Sequence, residues 1–247
     1  MIRYVIQISY VGTNYHGWQV QPNLITVQGS IQDVLTEVFN HPIKLIGSGR
    51  TDRGTHAKGQ IAHFDSDTNI PTINLHRALN SMLKRDIRIR SVQITSDDFH
   101  AQYSAKDKQY SYTICNGFVN DALTEPFVLE YPYSIDHDKL RSAAMLFKGS
   151  HDFTNFSYKD PGKNKVRTIY NVSVNISKPY VTIKFRGSGF LHKMVRCCVG
   201  AILSCARDKI DEDYIQQLFV RPLQENRKYT TVPAKGLCLE TVFYESL

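Results

Sequence analysis

The chain has 247 residues, 42% hydrophobic and 21% charged, the composition of an ordinary globular protein rather than a disordered or collagen-like one. Lys and Arg total 30 against 23 Asp and Glu, for a formal net charge of +7, which permits a polyanionic partner without demanding one. No apolar run approaches the ~18 residues of a membrane span, the start Met1-Ile-Arg-Tyr-Val-Ile-Gln lacks the layout of a signal peptide, and an odd number of cysteines (five) points to a reducing compartment, the cytoplasm, rather than a disulfide framework.

Ile2, Tyr4, Ile6, Ile8 and Tyr10 alternate at period two and predict a strand. A turn-rich segment from Val11 to Leu24 follows. Val27, Ile31, Val34, Leu35, Val38 and Phe39 recur at helical spacing behind Thr26, a suitable N-cap. A glycine-rich stretch, Gly47 to Gly59, leads into a strand at about Gln60 to Phe64. Leu75, Leu79, Met82 and Leu83 mark a second helix. Ile87 to Ile94 reads as a strand whose alternation slips near Arg90 and Ser91, the pattern of a bulge.

After Phe99 to Ser104 the pattern starts over. Tyr110, Tyr112 and Ile114 open a strand, and Leu140, Ala143, Ala144 and Phe147 form a helical stripe. Ile169 to Phe185 reads as two strands around a turn at Ser177-Lys178-Pro179. Met194, Cys197, Cys198, Ala201, Ile202 and Cys205 form another helical stripe, and Leu237 to Tyr244 a last strand. The order predicts two similar α+β domains, residues 1–104 and 105–247, with helices layered on sheets.

The most informative stretch is Gly47-Ser-Gly-Arg50-Thr-Asp52-Arg53-Gly-Thr55-His-Ala57, where glycines surround one carboxylate and two guanidiniums. An opposite charge keeps a carboxylate ionised, and an ionised Asp on a constrained loop suits a nucleophile or general base. The same residue types also build an ordinary solvated turn in which Asp caps a backbone amide. Lys159, Lys163, Lys165 and Arg167 form a cationic loop able to touch phosphates, or one that is merely solvated. Two glycines lead into a helix whose first turns carry His192, Lys193 and Arg196. His192 and Arg196, four apart, can share a face there. Tyr110 lies on a strand, where an aromatic ring can stack a nucleobase or fill a half-buried sheet face. Three helical cysteines are assigned to packing. No paired metal-ligand motif, phosphate loop or dinucleotide fingerprint is present, so any reaction is expected to run on side chains alone.

The run Gly49-Arg-Thr-Asp-Arg-Gly-Thr-His-Ala57 resembles the Gly-Arg-Thr-Asp-Ala-Gly-Val-His-Ala signature of the tRNA pseudouridine synthase A family. Further blocks agree in the same order. They are Gly12-Thr-Asn-Tyr-His-Gly-Trp-Gln19, Phe99-His-Ala101 with Ser104-Ala-Lys106, Tyr110-x-Tyr112 and Gly149-x-His-Asp-Phe-Thr-x-Phe156. Arg167-Thr-Ile169, Gly189-Phe-Leu-His-x-Met-Val-Arg196 and Pro233-Ala-Lys-Gly-Leu237 complete the set. The resemblance implies isomerisation of uridine to pseudouridine at positions 38 to 40 of the tRNA anticodon arm. It implies two ferredoxin- or RRM-like α+β domains, each a mainly antiparallel sheet with helices packed on it, joined around a central basic cleft. It implies a homodimer that binds tRNA, with no membrane, metal or organic cofactor. By the same resemblance Asp52 is the catalytic carboxylate and Arg196 the cation that pairs with it. Tyr110 stacks on the target base, Arg50 helps open the stem, and Leu237 lines the pocket. Arg53 and Thr55 stand where the signature has Ala and Val, and Arg53 adds a candidate RNA contact beside Arg50, His192 and the 159–167 cations.

Two other readings follow from the residues. A non-catalytic RNA-binding module would account for the basic stretches but gives no reason for an Asp bounded by glycines and arginines. A His-rich metal hydrolase predicts sensitivity to chelators.

Overall fold

Alternation does what the pattern requires in the first strand. In the computed structural model, which describes residues 1–117, 119–158, 164–220 and 226–245, Ile2–Tyr10 forms β1 and buries Tyr4, Ile6, Ile8 and Tyr10. Helix α1 spans Val27–Phe39, and the Thr26 side chain accepts from the Gly29 amide, one of the donors a helix start leaves unpaired. A short β2, Ile46–Gly47, precedes β3, His56–Ser66, which is longer at both ends than its hydrophobic centre indicated. Helix α2, Thr72–Met82, buries Leu75 and Leu79. Met82 is exposed, and Leu83, just past the helix, is buried instead.

Strand β4, Ile87–Thr95, pairs antiparallel with β1, as does β3. Gln7 faces Ser91 and Ile8 faces Ile89, so Arg90 is the extra residue of a bulge, where the alternation slips in the sequence. Helix α2 packs on β4, and α1 on α2. Tyr4 stacks on Phe64 with Phe39 against both rings, which joins α1 to the sheet.

The second unit begins with β5, Asp107–Asn116, flanked by a short parallel β6, Leu129–Tyr131. Helix α3, His137–Met145, is capped by Asp136, which accepts from the amides of Asp138 and Lys139. Strand β7 (Gly149–Asp152) pairs with β8 (Val166–Ser177), β8 forms a hairpin with β9 (Tyr180–Gly187), and β9 pairs with β5, all antiparallel. The hairpin turns at Lys178 and Pro179, as predicted. Helix α4, Met194–Cys205, packs on β5 and α3, and α5, Glu212–Val220, lies against β7. The α4 stripe is wider than its spacing indicated, for every residue of the helix except Arg196 is buried.

The last strand, β10 (Leu237–Phe243), pairs Cys238 and Leu239 in parallel with His56 and Ala57 of β3. The Lys106 amide also donates to the Phe243 carbonyl at 2.9 Å. The chain therefore divides into Met1–Lys106 with Cys238–Leu247, and Asp107–Leu237. The sequence pattern places everything after residue 104 in the second domain. Ladder bonds to β3 return the final residues to the first. The fold is α+β, with mainly antiparallel strands in each unit.

Candidate active site

The 47–57 loop is no solvated turn. Ser48, Thr51, Thr55, His56 and Ala57 are buried, Asp52 is half-buried, and Arg50 and Arg53 are exposed. The Thr55 amide donates to the Asp52 carbonyl at 3.0 Å, closing a tight turn over Arg53 and Gly54. Gly54 has φ +78°, which glycine adopts without steric penalty at the third position of such a turn. Asp52 thus stands at the start of a turn whose geometry is fixed by backbone bonding.

The rest of the loop is anchored from two directions. On the strand side the Ser48 hydroxyl donates to Gln60 Oε1 at 2.6 Å, and Gln60 Nε2 donates to the Gly49 carbonyl at 2.9 Å. From the 10–18 segment, the Tyr10 hydroxyl bonds Thr51 Oγ1 at 2.8 Å, the Trp18 amide donates to the Thr51 carbonyl at 3.1 Å, and the Gly12 amide donates to His56 Nδ1 at 3.1 Å. Burial pushes the Tyr10 phenol upward, so it remains a neutral hydrogen-bonding group. The backbone of Gly12 lies against that of Thr55 so closely that a β-carbon there would stand 2.0 Å from the Thr55 carbonyl oxygen. Arg50 Nε donates to Gln19 Oε1 at 3.2 Å.

Tyr110, Arg196 and Leu237 belong to the second unit. Tyr110 is buried on β5, opposite Phe185 of β9, with the Phe190 ring edge-on at 5.0 Å. Lys108 precedes it by two residues and so leaves the same sheet face. Burial pushes the Lys108 ammonium down to about 8. Arg196 Nε donates to the Val232 carbonyl at 2.8 Å. The segment after Val232 is stitched to β5, because Tyr112 donates its hydroxyl to the Pro233 carbonyl at 2.8 Å and the Thr113 amide donates to the Gly236 carbonyl at 2.9 Å. Leu237 follows, buried, at the start of β10. One loop thus links Arg196 to the Tyr110 strand.

Of the candidate phosphate contacts, Lys159 and Lys163 lie outside the described residues. Lys165 Nζ donates to the Tyr158 carbonyl at 2.9 Å, and Arg167 Nη1 to the carbonyls of Val166 at 2.6 Å and Asn164 at 3.1 Å. The expectation that His192 and Arg196 share a helix face is corrected. Lys193 has φ +61° and caps a helix that begins only at Met194, so His192 precedes the helix and the four-residue spacing carries no facial meaning. His192 instead accepts the Tyr158 amide at its carbonyl and tilts its ring against Tyr158 at 5.0 Å. Lys193 Nζ lies 4.6 Å from the centre of the same ring. The structure therefore gathers Lys165, His192 and Lys193 around Tyr158. Tyr158 and Lys108 were not identified from sequence. A lysine two residues before Tyr110 on one strand was the available signal for Lys108, whereas nothing local marked Tyr158.

Among the described residues no group of three or more His, Cys, Asp or Glu is arranged to hold a metal ion, and no helix is long and apolar enough to cross a membrane.

A profile of the family described as tRNA pseudouridine synthase matches residues 6–104 and 143–245. The chain is 41% identical over 250 residues to the tRNA pseudouridine synthase A 1 of Protochlamydia amoebophila, covering 98% of this chain and 96% of that protein. It is 38% identical over 248 residues to the tRNA pseudouridine synthase A of Latilactobacillus sakei, covering 98% of this chain and 99% of that one. With the enzyme of the same name from Lacticaseibacillus casei it shares 39% over 249 residues, covering 99% and 100%. The profile takes in both the fixed Asp52 loop and the Arg196 helix, and at this identity and coverage the chain belongs to the tRNA pseudouridine synthase family.

Proposed function

We propose that this protein isomerises uridine to pseudouridine at positions 38 to 40 of the tRNA anticodon arm, with Asp52 as the catalytic carboxylate. The supporting observation is the Asp52 loop: a half-buried acid between two exposed arginines, on a backbone held by buried partners from β1, the 12–18 segment and β3. Such rigidity is costly for a turn that only links strands, and it suits a group that must meet one atom of a substrate.

The reaction breaks the bond from C1′ to N1 of uracil, turns the base, and forms the bond from C1′ to C5. N1 gains a proton and C5 loses one, so substrate and product have the same atoms. A paired base must first leave the stack, which costs a few kcal/mol. The resemblance supports Arg196 as the counter-charge for the catalytic carboxylate, Tyr110 as the ring that stacks on the extruded base, and Leu237 as a residue of its pocket. Arg50 and Arg53 contact the RNA around the vacated position, and the cations at 159–167 with His192 contact its backbone. The reading includes a homodimer in the cytoplasm. The resemblance supports the homodimer, and the five free cysteines fit a reducing compartment.

The test is tritium release from 5-tritiated uridine in tRNA. Asp52→Ala is expected to abolish release while tRNA binding persists. Full release by that variant overturns the assignment of Asp52, and a wild-type protein that binds tRNA without forming pseudouridine is a binding module instead.

A further inference from the structure

The loop that carries Asp52 has an unusual neighbour. Residues 20–25 form a projecting turn, closed by the bridge between Gln21 and Leu24, with all six residues exposed. Three of them are large and aliphatic: Val20 is 45% exposed, Leu24 42% and Ile25 57%. Among the described residues these side chains remain about half exposed, yet the turn is held firmly at its base. The Val20 amide donates to Gln28 Oε1 at 3.0 Å, and Gln28 Nε2, on α1, donates to the Leu45 carbonyl at 2.7 Å. The His16 amide donates to the Ile25 carbonyl at 2.9 Å, and Gln21 Nε2 to the His16 carbonyl at 2.9 Å. Exposed apolar side chains on a fixed support are a contact waiting for a partner.

The base of the turn is bonded directly to the catalytic loop, through Trp18 to the Thr51 carbonyl and through Gln19 to Arg50. A substrate that brings a uridine to Asp52 therefore passes beside the turn. Extruding that base leaves the faces of its stacked neighbours open to water, and aliphatic side chains are what cover such faces at kinked or opened steps. Charge points the same way. Residues 11–32 contain no Asp, Glu, Lys or Arg, and the exposed charges on the adjoining loop are the cations Arg50 and Arg53. Exposed aliphatic side chains on the flanks of this turn, beside two guanidiniums, match a polyanion with exposed bases. A second copy meeting this face symmetrically would bring like arginines together. We propose that Val20, Leu24 and Ile25 form an apolar contact with the substrate RNA beside the extruded uridine. This rests on the reading of the Asp52 loop given above.

The experiment uses the full chain carrying Leu24→Ser and Ile25→Ser together, with a tRNA transcript as substrate. Both side chains are exposed, so folding is expected to be preserved, which circular dichroism and thermal melting check. Apolar burial of this size predicts about a tenfold rise in KM, with saturating kcat kept within threefold. Ile73→Ser, at an exposed apolar site on α2, is expected to leave both unchanged. Transcript affinity is measured again with the same pair of changes in Asp52→Ala protein. A tenfold loss there supports the contact even if Asp52 proves not to be the catalytic group. Unchanged KM and affinity overturn the proposal. So does unchanged affinity with a shift in sedimentation from dimer to monomer, which would assign the turn to a second copy.

Discussion

The backbone of Gly12 rests against that of Thr55, with room for no side chain between them: a β-carbon at residue 12 would stand 2.0 Å from the Thr55 carbonyl oxygen and 2.6 Å from its carbonyl carbon. The 12–18 segment and the Asp52 loop therefore form one unit of structure, although Gly12 and Thr55 are 43 positions apart in the chain. Gly12→Ala must push the loop away or break the bond from the Gly12 amide to His56. A loss of about 2–3 kcal/mol is expected in urea unfolding. Displacing a catalytic loop by even 1 Å costs on the order of a hundredfold, so pseudouridine formation should fall at least that far in protein that remains folded.

Thr55 itself carries a testable cost. It is 1% exposed, and its Oγ1 is buried with no hydrogen-bond partner among the described residues. An unpaired buried hydroxyl costs about 1–3 kcal/mol, and valine has the same shape without it. Thr55→Val is expected to raise stability by about 1 kcal/mol. That corresponds to a thermal midpoint higher by roughly 2–4 °C in a protein of this size, with activity retained. An unchanged or lowered midpoint would show that the hydroxyl is paired in solution.

His63 should make stability depend on pH. It is buried on β3, its Nδ1 accepts the Ala101 amide at 3.1 Å, and the His100 ring lies 4.8 Å away. Burial first, and then His100 and Arg3, push its imidazole down from 6.5 to about 4. Between those values the unfolded chain binds a proton that the folded protein refuses, so stability falls as pH drops. The contribution is complete above about pH 6.5 and lost progressively towards pH 4, on the order of 2 kcal/mol in all. Urea midpoints at pH 7 and pH 5 should differ for the wild type. His63→Gln should be less stable at pH 7 and show a smaller difference between the two.

Arg53 is exposed beside Asp52, where the family signature has alanine. If it meets an RNA phosphate, Arg53→Ala weakens binding evenly across tRNA sequences. It also lowers the slope of log affinity against log salt by about 0.7–0.9, the value for one released counterion. Titrations at several salt concentrations measure this. An unchanged slope would place Arg53 away from the backbone.

Local pattern carried far in this chain. The alternation in β1, the Thr26 cap, the slip at Arg90 and the turn at Lys178-Pro179 were all visible, because each depends on residues within a few positions of one another. Strands β6 and β7 span three and four residues with no fully buried side chain, too short for a period to register. Helix α5 buries only Ile215 and Leu218, a stripe too sparse to stand out. The spacing of His192 and Arg196 reads as one helix face, but Lys193 takes a left-handed backbone that its residue type does not announce, and the helix starts after it.

The sequence by itself determined the chemistry on offer: one acid between two arginines on a glycine-bounded loop, a tyrosine on a strand, and an apolar helical stripe with His192, Lys193 and Arg196 at its start. Composition and spacing are enough for that, since they decide which side chains exist and which face each element buries. Only the tertiary structure decided that the loop is rigid, that Gly12 and Trp18 hold it, and that the last strand returns to β3. Those facts depend on contacts between residues far apart in the chain, and no local period encodes which backbone will lie within 3 Å of another. The surplus of positive charge belongs to the same division. The count of +7 was available at once, but that Arg50 and Arg53 are exposed while Lys165 donates to the Tyr158 carbonyl followed only from where the fold placed each of them.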